Sequence, residues 1–168
     1  RSYTHFIASP PVSRPLERAQ KLLGAGSAGD TRLPTAAEWF LDNYYLIRRV
    51  ARQVEEELPR GFIRHLPQLG AGPASGRLRI EALALALVAN SDMILDSSAL
   101  QRFIVAYQEL SPLSIAELWA LPTMLRAAVL RQLLSFLDEL GVPFDEHDRQ
   151  SFKRQPLGDA RPGLGQHP

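Results

Sequence analysis

The chain has 168 residues, a formal net charge of +1, 45% hydrophobic and 22% charged residues, and no cysteine. That is enough chain for one ordinary domain with a single core. A near-neutral balance gives no electrostatic footprint for nucleic acid, and the missing thiols exclude disulfides, thiolate metal sites and cysteine nucleophiles.

No apolar run approaches the length needed to span a bilayer; the longest candidate, Leu83 to Ala89, is far too short. The N-terminus lacks the basic-then-apolar pattern of a secretory signal. The chain starts at Arg1, which is consistent with processing or excision from something larger.

Residues 1–15 hold three prolines and read as an extended arm. Leu16 to Leu23 make a short helix ended by the glycines at 24, 26 and 29. Thr35-Ala-Ala-Glu38 has the form of a capping box, with the Thr35 hydroxyl accepting from the third-residue amide and Glu38 reaching back. Behind it Phe40, Tyr44, Ile47, Ala51, Val54 and Leu58 recur at spacings of 4, 3, 4, 3 and 4, which predicts one amphipathic helix ended by Pro59 and Gly61. Residues 59–76, with three prolines and four glycines, form a long connection. Asp42 and Asn43 are expected to tie the preceding helix to its Pro59–Pro67 part.

Arg77 to Asn90 is apolar on nearly every side and reads as the most buried helix. Asp96 or Ser97 caps the next helix, with Leu100, Phe103, Ile104 and Tyr107 inward. Ser114-Ile-Ala-Glu117 is a second capping box. Its helix meets Pro122, which predicts a kink or a new start, with Trp119 filling the gap. It resumes from Met124 to Leu140, with Gly141 as its C-terminal cap. No segment alternates with period two, so no sheet is expected. The reading is an all-α bundle of about five to six helices with extended or disordered termini. Its organisation is an arm and short helix over 1–30, a helical domain over 31–141, and a polar, disordered tail over 142–168.

No constellation in this pattern carries catalysis. Gly24-Ala-Gly-Ser-Ala-Gly29 matches G-x-G-x-x-G, but a helix precedes it where a nucleotide-binding fold needs a strand, so it reads as a flexible connector. His5, His65, His147 and His167 have no metal-ligand spacing. Asp145-Glu-His-Asp148 has the composition for a hard cation and equally that of a solvated tail, the reading preferred here. Glu38, Asp42, Glu109 and Glu117 are the carboxylates in structured segments, and nothing places two across a cleft. No catalytic, cofactor or metal residue is therefore assigned. Tyr44 and Tyr107 fall on core stripes. Trp39 and Tyr45 fall off theirs, and with Arg48, Arg49, Arg52 and Trp119 they are the candidates for contact with a partner or a sugar ring.

Three phrases in fixed order carry a resemblance: AAEWFLDNYYLI, EELPRGFIRHLPQL and RFIVAYQELSPLSIAELWALPTMLRAAVL. Together they resemble the N-terminal helical region of the cyclic β-1,2-glucan synthases, over roughly residues 33–138. The resemblance implies a large bacterial inner-membrane enzyme that joins a UDP-glucose-dependent glycosyltransferase, membrane spans and a phosphorylase-like module. The matching region lies outside those catalytic modules. The chain has no D-x-D and no Q-x-x-R-W, so no catalytic residue carries over and no cofactor is implied. The expected role is a non-catalytic module for docking or assembly on the cytoplasmic face of the inner membrane, with other synthase domains or subunits as partners. The alternative is a glucan-binding module using exposed aromatics. An excised domain and a shortened relative both fit.

Overall fold

The computed structural model describes residues 12–27, 33–71, 75–91 and 96–152. The remaining segments of the expected arm, of the Gly24–Gly29 loop and of the tail, with His5 and His167, lie outside the described residues. Among the described residues the fold is all-α. Its helices are α1 (Ser13–Ser27), α2 (Thr35–Asp42), α3 (Tyr44–Glu57), α4 (Arg60–Ile63), α5 (Arg79–Ala89), α6 (Ser97–Leu110), α7 (Ile115–Glu139) and α8 (Glu146–Phe152). The sole β-type pairing among them is an isolated antiparallel bridge between Gln68 and Leu78.

The count exceeds the expected five to six for three local reasons. First, the stripe from Phe40 to Leu58 is broken at Asn43. Both the Asn43 backbone N–H and its side-chain amide donate to the Trp39 carbonyl, at 3.0 and 2.8 Å. A side chain that takes a helical acceptor competes with continuation of the helix. Asn43 therefore bonds within its own turn, not to the Pro59–Pro67 segment. Second, Pro59 starts the single turn α4 by accepting from Phe62 and Ile63. Third, residues 146–152 form α8, and the buried Val142, Phe144 and Phe152 pack into the core. Residues 142–152, expected within the polar tail, are therefore helical in part and packed on the core. Polar composition masked two phenylalanines that meet edge to face, with ring centroids 5.1 Å apart.

Other local expectations are corrected too. Thr35 is the first helical residue of α2 and makes no capping bond; the helix starts from the Pro34 carbonyl. Helix α1 runs through Gly24 and Gly26 to Ser27. Pro122 neither ends α7 nor restarts it, and the helix is continuous across it. Proline frees the carbonyl four residues back, here that of Leu118, whose residue is exposed to water. Phe103 is also exposed, not inward.

The other end signals act as their chemistry suggests. Ser114 accepts from the Glu117 N–H, and Glu117 reaches back to the Ser114 N–H at 2.8 Å. Asp96 accepts from Ser98 and Ala99 to cap α6. Gly141 takes φ +92°, and the following N–H of Val142 bonds to the Leu137 carbonyl, closing α7.

Two apolar clusters share α7 as their common wall. Its C-terminal half, through Leu130, Leu134 and Leu137, packs with Leu16, Phe40, Ile47, Ala51 and Val54 of α1–α3. Its N-terminal half, through Ala120, Leu121, Met124 and Leu125, packs with Ile80, Leu83, Ala84 and Val88 of α5. No residue of α5 from Arg79 to Val88 is exposed, as expected of its all-round apolar character. Helix α6 differs: none of its residues is buried, and it lies on the second cluster through half-buried Leu100, Ile104 and Tyr107.

Candidate functional site

Two surfaces stand out, and they separate the residues that the sequence grouped. The first is the outer face of α3. Its inner stripe buries Ile47, Ala51 and Val54. Tyr45, Arg48, Arg49 and Arg52 project from other sides, spaced three, four and seven apart, so they make one continuous exposed face. Tyr45 is 69% exposed. Trp39, 55% exposed, stands on the preceding α2, beyond the Asn43 break. The neighbouring Tyr44 packs on the core. Burial raises its phenol above the ordinary value, Glu17 adds to this, and Arg48 and Arg52 oppose it.

The second surface is the corner where α6 meets α7. Leu110 is 89% exposed, Ile115 75% and Trp119 79%. Leu118 stands beside them, and Phe103 stacks on Tyr107 one turn along α6, with centroids 6.2 Å apart. Trp119 therefore fills no gap at Pro122 but faces outward.

The two surfaces are distinct. The C-terminal end of α3 meets α7 where Thr123 and Arg126 both donate to Glu57, at 2.5 and 3.0 Å. Tyr45 lies about 18 Å along α3 from that point, and Trp119 lies one turn further along α7. Trp119 thus belongs with Leu110 and Ile115, not with Tyr45.

Sequence reasoning missed Leu110, Ile115 and Leu118. A signal was available. Ile115, Leu118 and Trp119 sit at helical spacing on a stripe offset from Ala120, Leu121, Met124 and Leu125. The start of α7 is therefore apolar on two sides while only one has a neighbour.

Glu117, Asp145 and Asp148 are held in structural roles. Glu117 is fully buried; burial would raise it, but hydrogen bonds from Arg79 and Ser114 outweigh that and hold it below the ordinary range. Asp145 and Asp148, the candidate cation ligands, both pair with Arg18. Asp145 also accepts from the Asp148 N–H, which starts α8. Glu38 and Asp42 are exposed one turn apart on α2. A shallow depression on α6 is lined by Gln101, Arg102, Val105, Ala106 and Glu109, with no aromatic ring among them. No helix among the described residues is long and apolar enough to cross a membrane.

No family model matches the chain, and no solved structure does. Over 118 residues, 69% of its length, it is 32% identical to the cyclic beta-(1,2)-glucan synthase NdvB of Rhizobium meliloti (strain 1021). The chain spans only 4% of the length of that relative. It therefore carries a region related to the cyclic β-(1,2)-glucan synthase family.

Proposed function

We propose that this chain is a helical docking module of a cyclic β-1,2-glucan synthase-like glycosyltransferase. It seats against sister domains or subunits at the cytoplasmic side of the inner membrane and contributes no catalytic residue. One observation carries this reading: the α6–α7 corner turns Leu110, Ile115 and Trp119 to solvent together. Large apolar side chains gathered on one surface mark interaction sites, and tryptophan is enriched where binding energy concentrates. The relative supplies the kind of occupant. Its matching region is a small part of a much longer chain, so in that relative further polypeptide is present that could cover such a corner.

The test is association. Leu110→Ser with Ile115→Ser and Trp119→Ser should leave the melting temperature nearly unchanged and abolish capture of the remaining synthase domains. Unchanged capture would remove the corner from the reading. A glucan-binding module is the second reading, favoured by the exposed rings of Trp39, Tyr45 and Trp119. Titration with β-1,2-linked oligosaccharides separates the two, since glucan binding would quench tryptophan fluorescence without any protein partner.

A further inference from the structure

We infer that the outer face of α3, at Tyr45, Arg48, Arg49 and Arg52, receives an acidic segment of a partner polypeptide. The inference rests on the docking reading only in taking the partner as protein, and it concerns a different surface from the α6–α7 corner.

Arg48, Arg49 and Arg52 are the fifth, sixth and ninth of the fourteen residues of α3, and Glu55, Glu56 and Glu57 stand in its last turn. The helix dipole disfavours anions at that end. For Glu55 and Glu57, tertiary contacts account for the placement. Glu55 accepts from the N–H and hydroxyl of Ser13, at 3.3 and 2.6 Å. Glu57 accepts from Thr123 and Arg126. No such contact accounts for the arginines. Among the described residues, no carboxylate pairs with Arg48, Arg49 or Arg52, whereas Arg18, Arg79, Arg126 and Arg149 each hold one. Arg48 and Arg52 are one turn apart, and so are Arg49 and Arg52, a spacing at which like charges repel. An anion laid across the three relieves that repulsion.

The chemistry of the side chains specifies the anion. Each guanidinium offers a planar fork that matches a carboxylate with two parallel hydrogen bonds. The Tyr45 hydroxyl adds a further donor at the edge of the patch. From Tyr45 to Arg52 the face is about 10 Å long, the rise of two helical turns. That length suits two or three carboxylates spaced one turn apart on a partner helix. The surroundings favour a narrow segment over a lipid plane. Glu56 stands one turn beyond Arg52 on the same helix, and exposed Glu38 and Asp42 stand on α2. A broad anionic surface would meet those acids, whereas a single acidic segment along α3 need not.

The probe is a fluorescently labelled oligoglutamate peptide, titrated with the full chain by anisotropy, with phosphatidylserine vesicles in parallel. The wild type should bind the peptide, and added salt should weaken binding. Arg48→Ala with Arg49→Ala and Arg52→Ala should weaken it by about tenfold or more, since even one lost charge-assisted bond is worth that much. Arg60→Ala with Arg64→Ala, at the start and just past the end of α4, should retain it. If the triple variant fails to fold, Arg49→Gln alone should still weaken binding severalfold. No binding by the wild type, equal loss in the α4 pair, or arginine-dependent vesicle binding without peptide binding would each overturn the inference. The α6–α7 corner variants should bind the peptide as the wild type does, so failure of one surface leaves the other standing.

Discussion

Arg79 holds Glu117 with two arms of its guanidinium, Nε 2.8 Å from Oε1 and Nη2 2.6 Å from Oε2. It also donates to the Ser111 hydroxyl at 2.9 Å and to the Pro112 carbonyl at 3.0 Å. One side chain at the start of α5 thereby fixes the turn between α6 and α7, and with it the placement of the exposed corner. Arg79→Ala strands a fully buried carboxylate. Breaking a buried pair costs about 3–5 kcal/mol. The lower end, about 3 kcal/mol, applies because the Arg79 side chain keeps 21% exposure. The double variant Arg79→Met with Glu117→Leu should recover part of that loss, since an apolar pair leaves no stranded charge while the Ser114 N–H loses its Glu117 acceptor. Denaturant melts of the single and double variants check this, and a double variant as unstable as Arg79→Ala alone would refute it.

Two capping-box sequences stand in this chain, and only one makes a box. Ser114→Ala should cost about 1 kcal/mol, as for a lost cap. Thr35→Ala should stay within about 0.5 kcal/mol, the range of an ordinary surface change, because Thr35 makes no capping bond. Thermal melts that rank Thr35 as the larger loss would mean that its hydroxyl has a partner after all.

Phe152 is 5% exposed and meets the edge of Phe144. Phe152→Ala should cost about 3 kcal/mol, at the low end for a buried phenylalanine, since the seven-residue α8 can shift into part of the space. A change within about 0.5 kcal/mol, that of a surface position, would detach α8 from the core.

The sequence made the all-α class and the main inward stripes legible, because period and burial coincide along α3 and α5. It failed where one residue decides between equivalent local arrangements. Asn43 sits in a good helical stripe, and only its bond to Trp39 O interrupts the helix. Pro122 should break a helix, yet α7 continues because the freed carbonyl belongs to an exposed residue. Of the candidate site, the face Tyr45–Arg52 could be read from spacing alone. The apolar corner was legible only in part, because periodicity shows that Ile115, Leu118 and Trp119 share a stripe but not whether another helix covers it. Helix α6 looks amphipathic in sequence, yet it is too shallowly seated to bury any residue.

Acid should destabilise this fold in a defined window. Glu117 is held below its ordinary value of 4.5, where burial, which raises it, loses to the bonds from Arg79 and Ser114. Three exposed acids shift the same way: Glu57 through its bond from Thr123, Asp96 through Ser98, and Asp145 through the Asp148 N–H. A lowered folded value means that the unfolded chain takes up protons first as pH falls. The stabilisation is therefore complete above about 4.5 for the glutamates and 3.8 for the aspartates, and is lost as pH drops through the lowered folded values. The exposed acids contribute little because solvent screens them, so Glu117 should dominate. Urea melts from about pH 6 down to about pH 3 should show a flat region and then a fall, and the Arg79→Met/Glu117→Leu variant should fall less steeply. Parallel curves for the two proteins would show that the acid sensitivity arises elsewhere than at the Arg79–Glu117 pair.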